Sequence, residues 1–270
     1  MRLIQHKKEA YWFYRFVSLG YDDWVNPLFW TPRMRSEALA AARLDRSGLD
    51  TLDAGAGTGF TTEGIVAQVD PARVTMLDQS PHQLARAARR PALAGVRRQL
   101  GDAEALPFAD DSFDRYVSAG SIEYWPDPQR GIAEAFRVLR PGGVAVVIGP
   151  VRPAGRIARV LADLWMLFPP VEQYRTWFER AGFSGVELVP VAPDWYRETR
   201  VPYAVAAVGV CEAAGPSPLR LPAVGETVDA PLTVAERARV AARFAAGSLA
   251  GLAFVPIALA MTLRARRERR

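Results

Sequence analysis

The chain has 270 residues, half of them hydrophobic, and a net charge of +5, which is length enough for a full core and an appendage. The positive charge is not spread: from Ala235 onward eight arginines stand against two glutamates, a net +6, so the preceding residues sum to −1. With no basic field on the body and no recognition motif, nucleic acid is set aside as a partner, and the one cysteine, Cys211, excludes a disulfide framework or a cysteine-rich zinc site.

The start, Met1-Arg2-Leu3-Ile4-Gln5-His6-Lys7-Lys8-Glu9, is polar and charged, so neither a secretory signal nor a transit peptide is expected. Lysine occurs only at positions 7 and 8 while Arg and Ala abound, which suggests high-GC bacterial coding. Residues 1–30 form an aromatic leader (Tyr11, Trp12, Phe13, Tyr14, Phe16 and others), expected helical to about Leu19. With a short helix after Pro32 it makes an N-terminal helical cap over 1–48. From Leu49 the pattern alternates strand and helix. Strands are expected at Leu49–Ala54, Val74–Asp78, Val96–Leu100, Phe113–Ser118, Val144–Ile148, 185–191 and 202–210. Helices are expected at Phe60–Gln68, Pro81–Arg90, Pro128–Leu139, 154–168 and 171–181, with Pro at the first turn of the second and third. The class is α/β: a mostly parallel seven-stranded sheet over 49–211, with its ligand beyond the carboxyl ends of the strands.

Residues 212–243 read as a Pro-rich linker and basic juxtamembrane segment. Phe244–Leu263 has no charge and is bounded by Arg243 and Arg264. As a helix it would be about 30 Å long, enough to cross a hydrocarbon core. A single crossing would carry the basic tail 264–270 outward, against the positive-inside rule. Pro256, Gly247 and Gly251 would allow a bent insertion with both ends on the cytoplasmic side. The expected location is the cell membrane, held by this C-terminal anchor, with the catalytic domain in the cytoplasm.

The most telling stretch is Leu52-Asp53-Ala54-Gly55-Ala56-Gly57-Thr58-Gly59. An acidic residue and three glycines at alternate positions end a strand and open a helix. Glycines let a backbone approach a ligand, and helix-terminal N–H groups face it. The dinucleotide spacing G-x-G-x-x-G fails, because its third glycine falls on Phe60. Asp78 ends the second strand, where a carboxylate accepts two ribose hydroxyls; Asp78 and Ser80 before Pro81 read equally as a helix N-cap. Gly101-Asp102-Ala103-Glu104-Ala105-Leu106-Pro107-Phe108 ends the third strand. The D-x-G-x-G-x-G spacing resembles motif I of the class I S-adenosylmethionine-dependent methyltransferases. That resemblance implies a cofactor site of Asp53, Gly55, Gly57, Gly59, Asp78, Gln79, Asp102, Ala103 and Ser118. Asp53 would reach the methionyl ammonium, Asp78 the ribose, Asp102 the adenine amino group and the next N–H the ring.

Longer segments carry a closer resemblance: Gln5–Phe16, Leu77–Ala85, Arg115–Gly131 and Trp165–Pro169. They are similar to the 2-methyl-6-phytylbenzoquinol and 2-methyl-6-solanesylbenzoquinol methyltransferases, plastid-envelope enzymes of plastoquinone and tocopherol synthesis. The resemblance runs from about residue 3 to 210 and implies C-methylation of a prenylated benzoquinol at a membrane surface, without fixing prenyl chain or ring. Two further readings stand beside it. One is methylation of demethylmenaquinol, another prenylated phenol or an isoprenoid lipid. The other is a catalytically silent cofactor-binding membrane scaffold.

The chemistry needs a ring hydroxyl deprotonated, a carbon aligned with the methyl group, and water excluded. Glu123 is the acid in the loop after the fourth strand, Tyr124 a donor to the ring oxygen, and His6 a second candidate base with a suitable ordinary pKa. Each has a plainer role available, Glu123 in a cap or ion pair and His6 at the surface. His82, at a helix start next to Asp78, reads as structural or as lying near the cofactor. No metal-ligating cluster stands out, and nothing sets the oligomeric state.

Overall fold

In the computed structural model, residues 29–197, 200–221 and scattered positions from 238 to 263 are described. Helix α1 (Pro32–Ala40) starts on a Thr31 cap, whose Oγ1 accepts from the Met34 N–H at 3.2 Å, with Pro32 where no N–H is needed. There follow β1 (Thr51–Ala54), α2 (Phe60–Val66), β2 (Val74–Asp78), α3 (Pro81–Ala87) and β3 (Arg97–Leu100). Then come β4 (Phe113–Ala119), α4 (Pro128–Val138), β5 (Leu139–Pro150), α5 (Arg156–Trp165), α6 (Val171–Ala181), β6 (Ser184–Val191) and β7 (Ala204–Cys211).

The seven strands lie in the order β3-β2-β1-β4-β5-β7-β6. The first five are parallel, and β7 runs antiparallel between β5 and β6. From β1 the chain winds outward to β3, then returns to lay β4 on the other side of β1. That reversal opens a crevice at the carboxyl ends of β1 and β4. Both sheet faces are covered, which is why the central strands are apolar on each side. Leu52, Tyr116, Ala145 and Val147 meet Phe136, Tyr174 and Phe178 on one face. Met76, Val117, Val146 and Ile148 meet Met34, Leu39 and Ile65 on the other. Arg137 at the foot of α4 donates to Glu134, Asp110 and the carbonyls of Leu106 and Phe108, so the loop after β3 is pinned from below.

Strand β5 starts earlier than its breaker sequence suggests. Leu139 pairs with Phe113, the register then shifts, and Val144 pairs with Arg115. The Arg140–Gly143 excursion is tolerated because Arg140 reaches Asp50 at 3.1 Å and Asp114 at 2.9 Å. Past Cys211 the chain stays on the body: the Gly215 N–H donates to Asp111 and Ser217 Oγ to the Ala181 carbonyl.

His6, the aromatic leader up to residue 28 and most of the basic C-terminal segment lie outside the described residues. Among those described, no helix is long and apolar enough to cross a membrane. The membrane helix expected over 244–263 therefore finds no support among the described residues. The positions described there are helical, with Ala250 buried and Leu249, Leu252, Leu259 and Leu263 exposed.

Candidate active site

Beyond β1 the backbone turns through Gly55, Gly57 and Gly59 at φ of +72°, +56° and +87°, the left-handed region that strains any residue with a Cβ. Gly55 has a second reason to be glycine, since a Cβ there would overlap the Ser121 side chain, whereas nothing lies within 4 Å of one at Gly57. The Gly55 and Ala56 N–H groups donate to the Leu77 carbonyl at 2.8 and 3.0 Å, which clamps the turn to the end of β2. Asp78 completes the clamp. Its Oδ2 accepts from the Gly57 N–H at 2.9 Å and its Oδ1 from the Ser80 N–H at 2.8 Å. Ser80 itself caps α3, so the cap and the acidic strand end are separate residues.

At the end of β3, Asp102 Oδ1 accepts from the Glu104 N–H at 2.9 Å. Glu104 is buried and reaches across the loop to the Asp127 N–H. These strand ends surround an open cleft. Of the residues singled out from sequence, Gly55, Asp78, Gln79, Asp102, Ala103 and Tyr124 line it. Gly57 and Gly59 shape the turn at its edge, and Ser118 lies below, its Oγ 2.9 Å from that of Ser121. Sequence reasoning missed the cleft roles of Gly101, Glu104, Ser121 and Trp125.

Asp53 lies under the turn with no accessible surface. Its Oδ2 accepts from Thr62 Oγ1 at 2.6 Å, and its Oδ1 has no partner. Burial pushes the carboxyl up to about 7, against the Thr62 hydrogen bond and with the help of the Asp78 charge. A buried acceptor left without a donor costs on the order of 1–3 kcal/mol, so its persistence beside a ligand cleft points to a ligand donor. The residues fit S-adenosylmethionine. An orphaned carboxylate oxygen suits an ammonium, a glycine with open space above it admits close approach, and acidic strand ends suit ribose and base donors.

Glu123 stands on the turn Ile122–Tyr124 directly after β4. Its Oε2 is buried with no partner, and burial pushes the carboxyl up to about 8. Its backbone carbonyl accepts from the Leu167 N–H at 3.1 Å. Tyr174, whose hydroxyl donates to the Pro150 carbonyl at 2.9 Å, is itself held well above the ordinary tyrosine range by burial and by the Glu123 charge. Glu123 and Tyr124 thus share one turn at the crevice, whereas His82 is exposed on α3.

Comparison with known proteins agrees with this geometry. The family described as "Methyltransferase domain" matches residues 52–147. The 2-methyl-6-phytyl-1,4-hydroquinone methyltransferase 1, chloroplastic, of Oryza sativa subsp. japonica is 55% identical over 86% of this chain and 71% of its own length. The corresponding Arabidopsis thaliana protein is 50% identical over 97% of this chain and 78% of its own. An S-adenosylmethionine-dependent methyltransferase from Mesorhizobium loti shares the fold, with a TM-score of 0.52 at 22% identity over 65% of this chain and 97% of that one.

Two expectations are corrected. A cell-membrane location through a C-terminal anchor is overturned, because the relatives are chloroplastic by name and no described helix is long and apolar enough to span. The bacterial source read from the Arg and Ala bias finds no support in these plant relatives. The glycine turn clamped by Asp78, the class I methyltransferase sheet and identity of half or more across most of the length lead to one conclusion: this S-adenosylmethionine-dependent enzyme belongs to the 2-methyl-6-phytyl-1,4-hydroquinone methyltransferase family.

Proposed function

We propose that the protein methylates a ring carbon of a prenylated hydroquinone of the 2-methyl-6-phytyl-1,4-hydroquinone type, whose apolar tail makes a lipid membrane its reservoir. The observation that carries this reading is Glu123, a carboxyl with an unpartnered buried oxygen at the carboxyl end of β4, next to the cofactor cleft. When bound, S-adenosylmethionine supplies an electrophilic methyl group on a sulfonium. In the proposed site Asp53 accepts from its ammonium, Asp78 and Gln79 hold the ribose, Asp102 and the Ala103 N–H hold the base, and Ser118 braces the floor through Ser121.

Glu123 takes the proton of a ring hydroxyl at Oε2, and Tyr124 donates to the ring oxygen that becomes charged. A carboxyl raised to about 8 is a stronger base than an ordinary carboxylate and is matched to near-neutral proton transfer. The cofactor held by these residues would supply its methyl group to the ring carbon so activated; Glu123 would return its proton to the ring oxygen as the displaced ring proton is released to solvent and aromaticity is restored. Burial around the turn excludes water, which keeps the phenolate from being quenched. The test is transfer of labelled methyl from S-adenosylmethionine to reduced prenylbenzoquinols and to demethylmenaquinol. A methylated benzoquinol supports the reading. Product on demethylmenaquinol alone redirects it to that substrate, and cofactor binding without product on either removes it.

A further inference from the structure

Helix α5 carries an apolar face that the body does not cover. Ile157 is 80% exposed and Val160 60%, and Leu161 and Leu164 are partly exposed. Spaced i, i+3, i+4 and i+7, the four form one stripe along the helix. The inward side is made by Ala162 and Trp165, both buried. Two large aliphatic side chains left this open on one short helix are more than the scattered surface apolars of a typical protein.

The charge around the stripe identifies its occupant. Arg152, Arg156 and Arg159 are all exposed on the helix or just before it, against the single acid Asp163, and Arg156 flanks the stripe. Arg152 pairs with Asp163, and Arg159 donates to the Ala154 carbonyl, so Arg156, next to Val160 round the helix, presents its charge outward. Apolar side chains in a plane with cations whose stems are long enough to lie along them match an anionic lipid surface. An open groove lies beside this face, lined by Asp163 of the helix and by Met166, Phe168, Pro169 and Trp177. Its wall at Leu167 is tied by the backbone to Glu123.

We propose that α5 seats the protein on the surface of an anionic bilayer, with Ile157, Val160, Leu161 and Leu164 in the acyl boundary and Arg156 among the headgroups. This is contact with a surface and involves no crossing. It places the groove mouth at the lipid plane, on the side of the molecule that holds the reaction site. Where the proposed function is correct, it supplies the route by which an apolar acceptor reaches Glu123.

The test is co-sedimentation of the full chain with phosphatidylglycerol vesicles and with phosphatidylcholine vesicles, comparing wild type with an Ile157→Asp, Val160→Asp double variant and with Arg156→Glu. The double variant is expected to bind phosphatidylglycerol about a hundredfold more weakly, as the loss of two buried aliphatic side chains implies. Arg156→Glu is expected to weaken binding to phosphatidylglycerol and leave binding to phosphatidylcholine unchanged. Affinity for S-adenosylmethionine, measured by calorimetry, stays as in wild type and reports that the variants are folded. Equal vesicle binding by wild type and double variant overturns the proposal, as does wild-type binding with no preference for the anionic lipid. Because the readout is lipid binding, it stands whether or not a hydroquinone proves to be the acceptor.

Discussion

Replacing Glu123 by Gln keeps the shape of the side chain and removes its charge. Burial sets the folded carboxyl at about 8 against the ordinary 4.5. That gap of about 3.5 units corresponds to at most about 5 kcal/mol between the folded and unfolded proton affinities. The folded protein binds this proton more tightly than the unfolded chain, so stability is fully present below the unfolded value and is lost as pH rises through the folded one. Between about pH 5 and pH 9 wild type loses about 4 kcal/mol on this account, and the Gln variant does not. Asp53, also raised by burial, titrates in both proteins and cancels in the difference. Urea denaturation of the pair at several pH values reads the effect directly: the variant gains on wild type steadily up to about pH 8 and then holds. If the difference between the two stays flat across that range, Glu123 is solvated and its proposed role as a tuned base fails with it. Methyl transfer is measured alongside. Loss of a general base lowers kcat by about 10²–10⁴ while calorimetric affinity for S-adenosylmethionine stays unchanged.

Asp78→Asn removes the charge from the clamp on Gly57; affinity for S-adenosylmethionine is expected to fall about 10–100-fold by calorimetry, the value of a charge-assisted hydrogen bond, and unchanged affinity would refute the ribose assignment. Gly55→Ala forces a Cβ into Ser121 at positive φ and should cost about 2–4 kcal/mol of stability, whereas Gly57→Ala, with open space, should cost only the strain of about 1–2 kcal/mol and act chiefly on cofactor binding; equal losses of thermal stability contradict this reading of the turn. With Asp53 at about 7, cofactor binding at pH 6 should release a proton in wild type and none in Asp53→Asn, seen as a buffer-dependent binding enthalpy in the first alone. Cys211 is buried and its thiol is pushed up by burial to about 11, so alkylation should await unfolding; rapid labelling of the native protein would show the strand β7 end to be open.

The local rules of the sequence carried far. Ser80 caps the helix that follows, and Pro81 and Pro128 open the helices expected to start there, because a helix start is decided within a few residues. The acidic residues near the strand ends were legible for the same reason: Asp78 is the last residue of β2, Asp53 the penultimate of β1, and Asp102 stands two past β3. What sequence hides is anything settled by a distant partner. The placement of β7 between β5 and β6 leaves no local trace, since an antiparallel return reads like any other apolar strand. The early start of β5 depends on Phe113 across the ladder. Ser121 enters the site only because Gly55 leaves room for it, and Glu104 earns its burial through an N–H 23 residues away.

The two orphaned carboxylate oxygens show how one crevice serves two tasks. Asp53 is the penultimate residue of β1 and Glu123 follows β4, the pair of neighbouring strands at which the winding reverses, so the fold itself puts one acid at the end of each strand. Both are desolvated and both are held more protonated than an exposed carboxyl, yet their partners in the proposed site differ in charge. An ammonium arriving at Asp53 brings a positive charge; it draws the proton off and leaves a carboxylate with a partner for the oxygen that now lacks one. A phenol hydroxyl arriving at Glu123 is neutral; it offers a proton to a carboxylate whose environment already favours the acid form. Burial therefore acts as a binding linkage on one strand and as a driving force for proton transfer on the next. The same physical penalty yields affinity or reactivity according to whether the ligand brings a charge with it or leaves one behind.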